Sequence, residues 1–449
     1  MPIGFYSYMI GNMDNKNSIP HIVIMGLGFG GVYAYLKLHN LFHAKKQVRI
    51  TIISERDHFM FTPMIHEVAT GTLLSSSLRQ PARTLPQCCI YRFVEGIIGG
   101  INCDTKTVTV HHMNPYAPEV KNSEGAEPTE EVPYDYLISA LGSEVNFFGT
   151  PGAAEYALTL KDIDDAERLK NRIIESFEEA ELAKTEEEKK RLLHFIIVGG
   201  GPTGVELAGE MADLINKEMK DAFPSLCDMA RVSIYEGGSR LMGAVDEWFA
   251  KHAADILADK KVSISYNMRI TNIYGTGVSV GEEQIEAGTV IWTAGVRARD
   301  LIVTAMKDVL RDERSNRIKV NEFMQIPAYP NVFVAGDQAY VVDKEAGQPY
   351  PMRAQFAVRE GVVAAKNIKN IITKEAPLEE FSWRDKGFIV SLGKGGALAE
   401  AFGMRWGGTV AWIVYRGAYL MKIVGVRAKL RTTLEWILNF FLPRDISKL

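Results

Sequence analysis

Three glycines, Gly26, Gly28 and Gly31, follow the apolar run Ile22-Val23-Ile24-Met25 at G-x-G-x-x-G spacing. Each has its own physical task. The first permits a tight turn out of a buried strand, the second lets the backbone approach a pyrophosphate, and the third lets the next helix pack closely on the strand. The free N–H groups and positive dipole of that helix N-terminus then favour the phosphates. A second apolar strand, Val48 to Ile53, leads to Glu55. This acid stands beyond Gly31 at the interval where a partner for a ribose 2′-hydroxyl is expected.

The pattern recurs. Phe195–Val198 reads as a strand, Gly199, Gly201 and Gly204 repeat the spacing, and Val205 to Leu214 reads as a helix. The next strand, Val232–Tyr235, ends at Glu236. That acid stands further from Gly204 than Glu55 does from Gly31, and the stretch KEMKDAFPSLCDMA accounts for the extra length. A carboxylate at this position accepts from a ribose diol and repels a 2′-phosphate. Glu236 therefore favours NADH over NADPH, with Arg240 as the nearby group able to soften that preference.

The later sequence assigns the two turns. NVFVAGDQA (331–339) is a strand running into Ala335-Gly336-Asp337, where the aspartate can bond the ribityl chain of a flavin. YDYLISALGS (134–143) and GTVIWTAGV (288–296) read as the seams between two nucleotide domains. The expected fold is α/β: two Rossmann-like dinucleotide-binding domains, the second inserted in the first, plus a C-terminal amphipathic helical region that anchors to a membrane. FAD belongs to residues 19–150 with 290–375, NADH to 151–289, and the C-terminal region spans 376–449. One cofactor donates a hydride and the other accepts it, so the two pockets must face each other.

The chain has 449 residues, 47% apolar and 24% charged, enough for two or three domains. A net charge of −4 argues against a nucleic-acid binder working through a global basic field. Of four cysteines, Cys88, Cys89, Cys103 and Cys227, none forms a C-x-x-C pair, and no Cys/His cluster has zinc spacing. No metal site is expected, and Cys88 and Cys89 read as buried structural residues. Residues 1–18 resemble no targeting signal and read as a disordered leader. No uncharged apolar run is long enough to cross a bilayer, so no transmembrane helix is expected.

From Arg405 onward the chain changes character, with eight Lys/Arg and two acids, Glu435 and Asp445. RAKLRTTLEWILNFFLPRD reads as an amphipathic helix ended by Pro443. Leu430, Leu434, Ile437, Leu438 and Phe441 share one face, widened by Trp436, Phe440 and Leu442, and Arg427, Arg431, Glu435 and Asn439 form a polar stripe. A basic, Trp-containing helix of this kind suits a membrane surface. A dimerisation arm, or a helix packed on the protein's own body, is the other reading.

FTPMIHEVATGTL (61–73), YDYLISALGSEVNFFGTPG (134–152), IWTAGV (291–296), AQFAVREG (354–361) and DKGFIVSLGKGGALAE (385–400) carry a closer likeness. With both glycine turns, they make the chain resemble the two-dinucleotide-binding-domain, glutathione-reductase-like flavoproteins. Within these it is similar to the type II NADH:quinone oxidoreductases, from about residue 20 to the C-terminus. The resemblance implies FAD, NADH and a membrane quinone, without proton pumping, at a peripheral site on the cytoplasmic or matrix face of a respiratory membrane. It implies FAD contacts at Gly26, Gly28, Gly30, Gly31, Glu55, Arg56, Thr62, Gly142, Asp337, Ala354, Gln355 and Phe356. NADH falls to Gly199, Gly201, Gly204, Glu236 and Gly295. Glu206 lies near nicotinamide and flavin, while Gln355, Arg359 and Lys394 serve the quinone. Glu206, Gln355 and Lys394 are the catalytic candidates. The family motif A-Q-x-A-x-Q has Arg359 in place of its second glutamine. A homodimer is a further expectation.

The cysteines narrow the acceptor. Disulfide reductases carry two cysteines beside the flavin, yet residues 62–75 hold none, and none follows Cys227. Electrons therefore go straight to an external acceptor. Two other readings share the turns: a soluble NAD(P)H-dependent reductase of a ferredoxin-type carrier, and a non-catalytic NADH-sensing flavoprotein. His58 and His66, near the expected flavin loop, read as core or surface residues.

Overall fold

A computed structural model describes residues 19–44, 47–113, 129–300, 303–305, 309–384 and 387–448; the leader expected over 1–18 lies outside them. Short β-branched runs between glycine turns form strands buried on both faces, as parallel sheets require. His21–Met25 is buried throughout. It pairs in parallel with Arg49–Ser54 on one side, Val23 opposite Thr51, and with Tyr136–Ser139 on the other, Ile24 opposite Ile138. Tyr329–Val334 and Ile90–Asn102 extend the sheet outward in parallel. Thr107–His112 and Thr129–Pro133 add antiparallel strands at one edge. The chain leaves His21–Met25 toward one neighbour and returns on the other side. The C-terminal end of that strand is thus the switch point where such sheets hold ligands.

A second, wholly parallel sheet has the order Leu158–Thr159, Thr289–Trp292, His194–Val198, Arg231–Tyr235, Ser263–Ser265. All its strands fall between the two halves of the first sheet, so one dinucleotide fold is inserted in the other. The two joins lie side by side. Ser143–Val145 pairs antiparallel with Val296–Ala298, and Trp292 Nε1 donates to the Asn146 carbonyl at 2.9 Å.

Seven helices matter to the site: α1 (Phe29–Phe42), α2 (Ile65–Ala69), α3 (Ile163–Leu182), α4 (Pro202–Leu214), α5 (Ala354–Thr373), α6 (Gly408–Lys422) and α7 (Val426–Phe441). α3 ends at Leu182, and Thr185 caps a new helix, Glu186–Leu192, by accepting from the Glu188 N–H. The extra residues before Glu236 form a π turn, Ile215–Met219, with short helical turns after it. Beyond α5, a three-stranded antiparallel sheet, Phe388–Ser391, Ala397–Ala401 and Met404–Gly407, leads into α6 and α7. Among the described residues no helix is long and apolar enough to cross a membrane.

Both glycine turns show the same division of labour. Gly26 and Gly199 sit at φ +96° and +106°, in the left-handed region that favours glycine. A Cβ on Gly31 would lie 1.9 Å from the Gly26 carbonyl oxygen, and one on Gly204 would lie 2.1 Å from that of Gly199. Gly28 and Gly201 face open space, with nothing within 4 Å. The obstacle at Gly31 is backbone and cannot swing aside. Gly31→Ala should therefore push α1 off its strand, at about 1–3 kcal/mol or more. The expected outcome is a lower Tm together with a fall in flavin absorbance per chain; a variant that keeps both would overturn this account of the turn.

Candidate active site

The switch point of the first sheet opens into a cavity of about 1350 Å³. One drug-sized ligand needs about 300–1,000 Å³, so an extended dinucleotide has room. Its wall gathers remote parts of the chain: Gly26 to Gly30, Ser54 to Arg56, Ala140 to Ser143, Ala335 to Asp337, and Met352 to Gln355 at the start of α5. Pro202, Thr203 and Glu206 of α4 enter from the inserted domain. Arg359, Trp383, Phe388 and Trp406 line it as well, and Val414, Ala418, Tyr419 and Lys422 of α6 join them.

The residues fit FAD. α1 begins at Gly28 with no side-chain cap, which leaves its first N–H groups for a pyrophosphate. Gly28 and Gly142 have open space where a side chain would stand. Glu55 lines the cavity and accepts from Arg299 Nη1 at 2.7 Å, while Arg56 pairs with Asp162. Asp337 accepts from Ser143 Oγ at 2.5 Å, and Lys161 Nζ donates to the same hydroxyl at 2.6 Å. Behind this turn Glu360 accepts from the Gly336 N–H at 2.5 Å. Burial pushes its carboxyl up to about 8, against the pull of that N–H and of Arg317, so it is protonated at neutral pH. Sequence reasoning missed Glu360; its only signal was a carboxylate one turn behind Ala357 on an apolar helix face.

The inserted domain presents the second glycine turn. α4 begins at Gly201, also without a side-chain cap. Glu236 reaches the turn, accepting from the N–H of Gly200 at 2.7 Å and of Gly238 at 2.6 Å. Arg240 is committed elsewhere, donating to the carbonyls of Val245 at 2.7 Å and Gly243 at 2.8 Å. It is therefore held in its own loop rather than offered to a 2′-phosphate.

Glu206, one turn into α4, meets the cavity edge-on with 12% of its side chain exposed. Burial raises its carboxyl to about 8; Glu67 and Glu210 add to this, and the Ser391 N–H, 3.3 Å away, opposes it. It carries a proton at neutral pH. Behind it lies a layer of buried charge. Glu210, four residues on and thus on the same helix face, is met by Arg444 Nη1 at 2.9 Å. Burial pushes Glu210 up, and Arg444, His66 and Arg416 more than offset it, leaving it below its ordinary value. Glu67 of α2 accepts from Trp436 Nε1 at 2.9 Å and lies 3.8 Å from Arg416, whose guanidinium is sandwiched between the rings of Trp412 and Trp436. Burial raises Glu67 to about 7. His66, read as a core or surface histidine, is core: burial lowers it to about 4, so it is a neutral ring between Glu206, at 3.8 Å, and the Tyr415 hydroxyl, at 3.4 Å.

The pyridine nucleotide-disulphide oxidoreductase family matches residues 20–361. Over 435 residues, the chain is 31% identical to a type II NADH:quinone oxidoreductase of Mycobacterium tuberculosis, covering 94% of this chain and 88% of that protein. This chain belongs to the type II NADH:quinone oxidoreductase family. A probable NADH dehydrogenase of Dictyostelium discoideum is 29% identical over 95% of this chain and 90% of its own length. In fold, the chain is similar to the structure of NDH2 from Plasmodium falciparum in complex with NADH, with a TM-score of 0.86 at 20% identity, covering 96% of this chain and 100% of that one. The broader family takes its name from disulphide chemistry, yet among the described residues no cysteine lines the cavity of this type II member.

Not every expected residue reaches the cavity. Gly26, Gly28, Gly30, Glu55, Arg56, Thr62, Gly142, Asp337, Ala354, Gln355, Arg359 and Glu206 line it. Phe356 does not; it points into the core against Trp383, ring centroids 4.5 Å apart, and Tyr350, at 5.1 Å. The next helical position after Gln355 faces about 100° away, which a motif read residue by residue overlooks. Lys394 is also elsewhere: its backbone N–H bonds Asp213, and its ammonium lies 5.0 Å from the Phe440 ring centroid, outside the cavity wall. Gly31 and Gly204 act by close packing, and Gly295 lies at the join against Phe148.

Glu206 gives a pH test. Its folded value of about 8 exceeds its ordinary 4.5, so the folded protein retains a proton the unfolded chain has released. The stabilisation is full below about 4.5 and is lost as pH rises through about 8. Glu206→Gln cannot ionise, so its Tm should gain on the parent's steadily across that window, by the equivalent of a few kcal/mol at most. Paired melts that show a constant difference would remove the buried proton from Glu206.

Proposed function

We propose that this chain oxidises NADH and reduces a quinone at the lipid surface, with FAD held by residues 19–150 and 290–375 and NADH by 151–289. The observation that carries the reading is one cavity whose wall runs from the first glycine turn, past the start of α4, to α6. FAD bound there would supply the two-electron chemistry that links oxidation of NADH to reduction of the quinone. The chain's own residues do the rest. The uncapped start of α1 holds the pyrophosphate, and Asp337, fixed by Ser143 and Lys161, holds the ribityl hydroxyls. Glu236 grips the ribose of NADH. Glu206 keeps a proton at the boundary between the nicotinamide side and the cavity, with Gln355 and Arg359 on the same wall available to quinone oxygens. Among the described residues no cysteine stands on the wall to divert the electrons.

The C-terminal helices favour a lipid-borne acceptor over a ferredoxin-type one. An ordinary surface helix turns its apolar face inward, but α7 is reversed. The C-terminal half of its polar stripe faces the body, while Arg427 stays exposed: Glu435 accepts from the Leu74 N–H at 3.0 Å and Ser77 Oγ at 2.7 Å, and Asn439 donates to the Thr72 carbonyl at 2.5 Å. Its apolar stripe is bare, with Leu430 67% and Phe441 81% exposed, and Met421 of α6 adds 77%. α6 thus separates an apolar exterior from the apolar end of the cavity, where a lipid-soluble quinone can enter. Residues 376–449 are assigned to this contact, on whichever membrane face meets NADH.

Two outcomes check the proposal. Glu236→Gln should lower kcat/KM for NADH by about 10–100-fold, the value of a charge-assisted hydrogen bond, and narrow the NADH/NADPH ratio; an unchanged ratio would take Glu236 off the ribose. Deleting the tail would uncover the buried charge layer, so the lipid test uses the bare face alone. The parent should float with anionic vesicles. The triple variant Leu430→Glu, Ile437→Glu, Phe441→Glu should stay behind while reducing a water-soluble acceptor within about two-fold of the parent. A variant that floats equally, or a lipid-free dimer that the same substitutions split, would reassign the face.

A further inference from the structure

The far end of α1 carries a second set of chemistry-bearing side chains that the electron-transfer reading does not use. His39 and His43 are four residues apart on one face of the helix, at its C-terminal end. Against them packs the turn Gln87–Cys89, held one helical turn earlier by the Tyr35 hydroxyl donating to the Pro86 carbonyl. Cys88 Sγ lies 3.1 Å from His43 Nδ1 and 3.6 Å from His39 Nδ1, and Cys89 Sγ lies 3.3 Å from His39 Nδ1. All four ligand atoms fall within 4.8 Å of one another. None of the four residues lines the cavity.

We propose that His39, His43, Cys88 and Cys89 bind one zinc ion. With metal–sulfur and metal–nitrogen bonds of about 2.3 and 2.1 Å, the S···N edge of a tetrahedron is about 3.6 Å. The three observed sulfur–nitrogen distances, 3.1 to 3.6 Å, fall at or just inside that edge, so small rotamer shifts complete the shell. Two thiolates and two imidazoles are the ligand set of structural zinc. The negative end of the α1 dipole adds to the attraction for a cation. Cys88, His39 and His43 are open or partly open to solvent, which provides an entry path, and Cys89 closes the inner side. Of the two cysteines expected to be buried, Cys89 is buried, while Cys88 is exposed and faces an imidazole. Sequence spacing concealed the set, because the histidine and cysteine halves stand far apart in the chain and the cysteines are adjacent rather than separated. Bound zinc clasps the end of α1 to the turn that feeds the strand Ile90–Asn102. The clasp steadies that end of α1 locally, without touching the glycine turn or the reacting atoms. Binding displaces the two thiol protons to solvent.

The test uses the untagged holoenzyme, kept reduced. Zinc measured by mass spectrometry after desalting should be one equivalent per chain. Cys88→Ser/Cys89→Ser and, at an exposed position, His43→Ala should each hold less than a tenth of that, with FAD content and turnover with a soluble acceptor unchanged. Cobalt(II) in place of zinc should give visible bands to the red of the oxidised flavin, at the intensity of a tetrahedral thiolate site. Stripping the zinc with a chelator should lower the Tm of the parent, micromolar zinc should restore it, and both variants should stay where they are under either treatment. Zinc retained equally by the variants, or a parent that takes up neither zinc nor cobalt, overturns the proposal.

Discussion

Buried charge must be balanced where water cannot do it, and the layer between α2, α4 and the C-terminal segment depends on that. Among the described residues, Glu67, Glu206, Glu210 and Glu218 share it with two guanidinium groups, Arg416 and Arg444, while the partly exposed Lys217 ammonium meets Glu218 at 3.1 Å. Both guanidinium groups come from the C-terminal end of the chain, one from α6 and one from the segment after α7. Removing one partner of a buried pair costs about 3–5 kcal/mol, so the tail is bound into the protein through charge as much as through packing. The imbalance also sets the chemistry. Arg444 claims Glu210, Arg416 and Trp436 claim Glu67, and Glu206, with only the Ser391 N–H and a neutral His66 nearby, keeps its proton. A neutral carboxyl at the cavity wall follows from where the two arginines are spent.

This arrangement also explains the reversed helix. In α7 the polar stripe is needed on the inside, because Leu74, Ser77 and Thr72 present backbone and hydroxyl groups that require partners, and Glu435 and Asn439 supply them. Once the polar stripe is committed inward, the geometry of a helix sends the leucines, Ile437 and Phe441 outward. The bare apolar face is thus a consequence of how the helix docks, and the docking is a consequence of the buried charges around it.

What could be read from the sequence was local. The two glycine turns, the strands before and after them, Glu55 and Glu236 at strand ends, and the joins near 143 and 296 all follow from short patterns whose physics is complete within a single strand–turn–helix–strand unit. The apolar and polar stripes of α7 were legible too, although not which of them would meet the protein. What could not be read were encounters between distant segments. Glu67, Glu210, Arg416 and Arg444 look like ordinary charges until folding brings them together. Phe356 and Lys394 were placed by motif, and the helix phase of one and the Asp213 contact of the other carried them elsewhere. His39, His43, Cys88 and Cys89 match no metal spacing because the fold, rather than the chain, sets their distances.

The same reasoning separates the two ends of α1. Its N-terminus is left uncapped by its own side chains, so the orphan N–H groups want an anion; its C-terminus gathers imidazoles and thiols, which want a cation. A helix that offers opposite charge demands at its ends, and is pinned along its length against α5, transmits little motion between them. Strain introduced at either end must be absorbed there. The cavity wall at Gly28 and Gly30 therefore stays where the sheet puts it, whatever occupies the far end, and a rigid wall is what a hydride donor and acceptor held at fixed separation require.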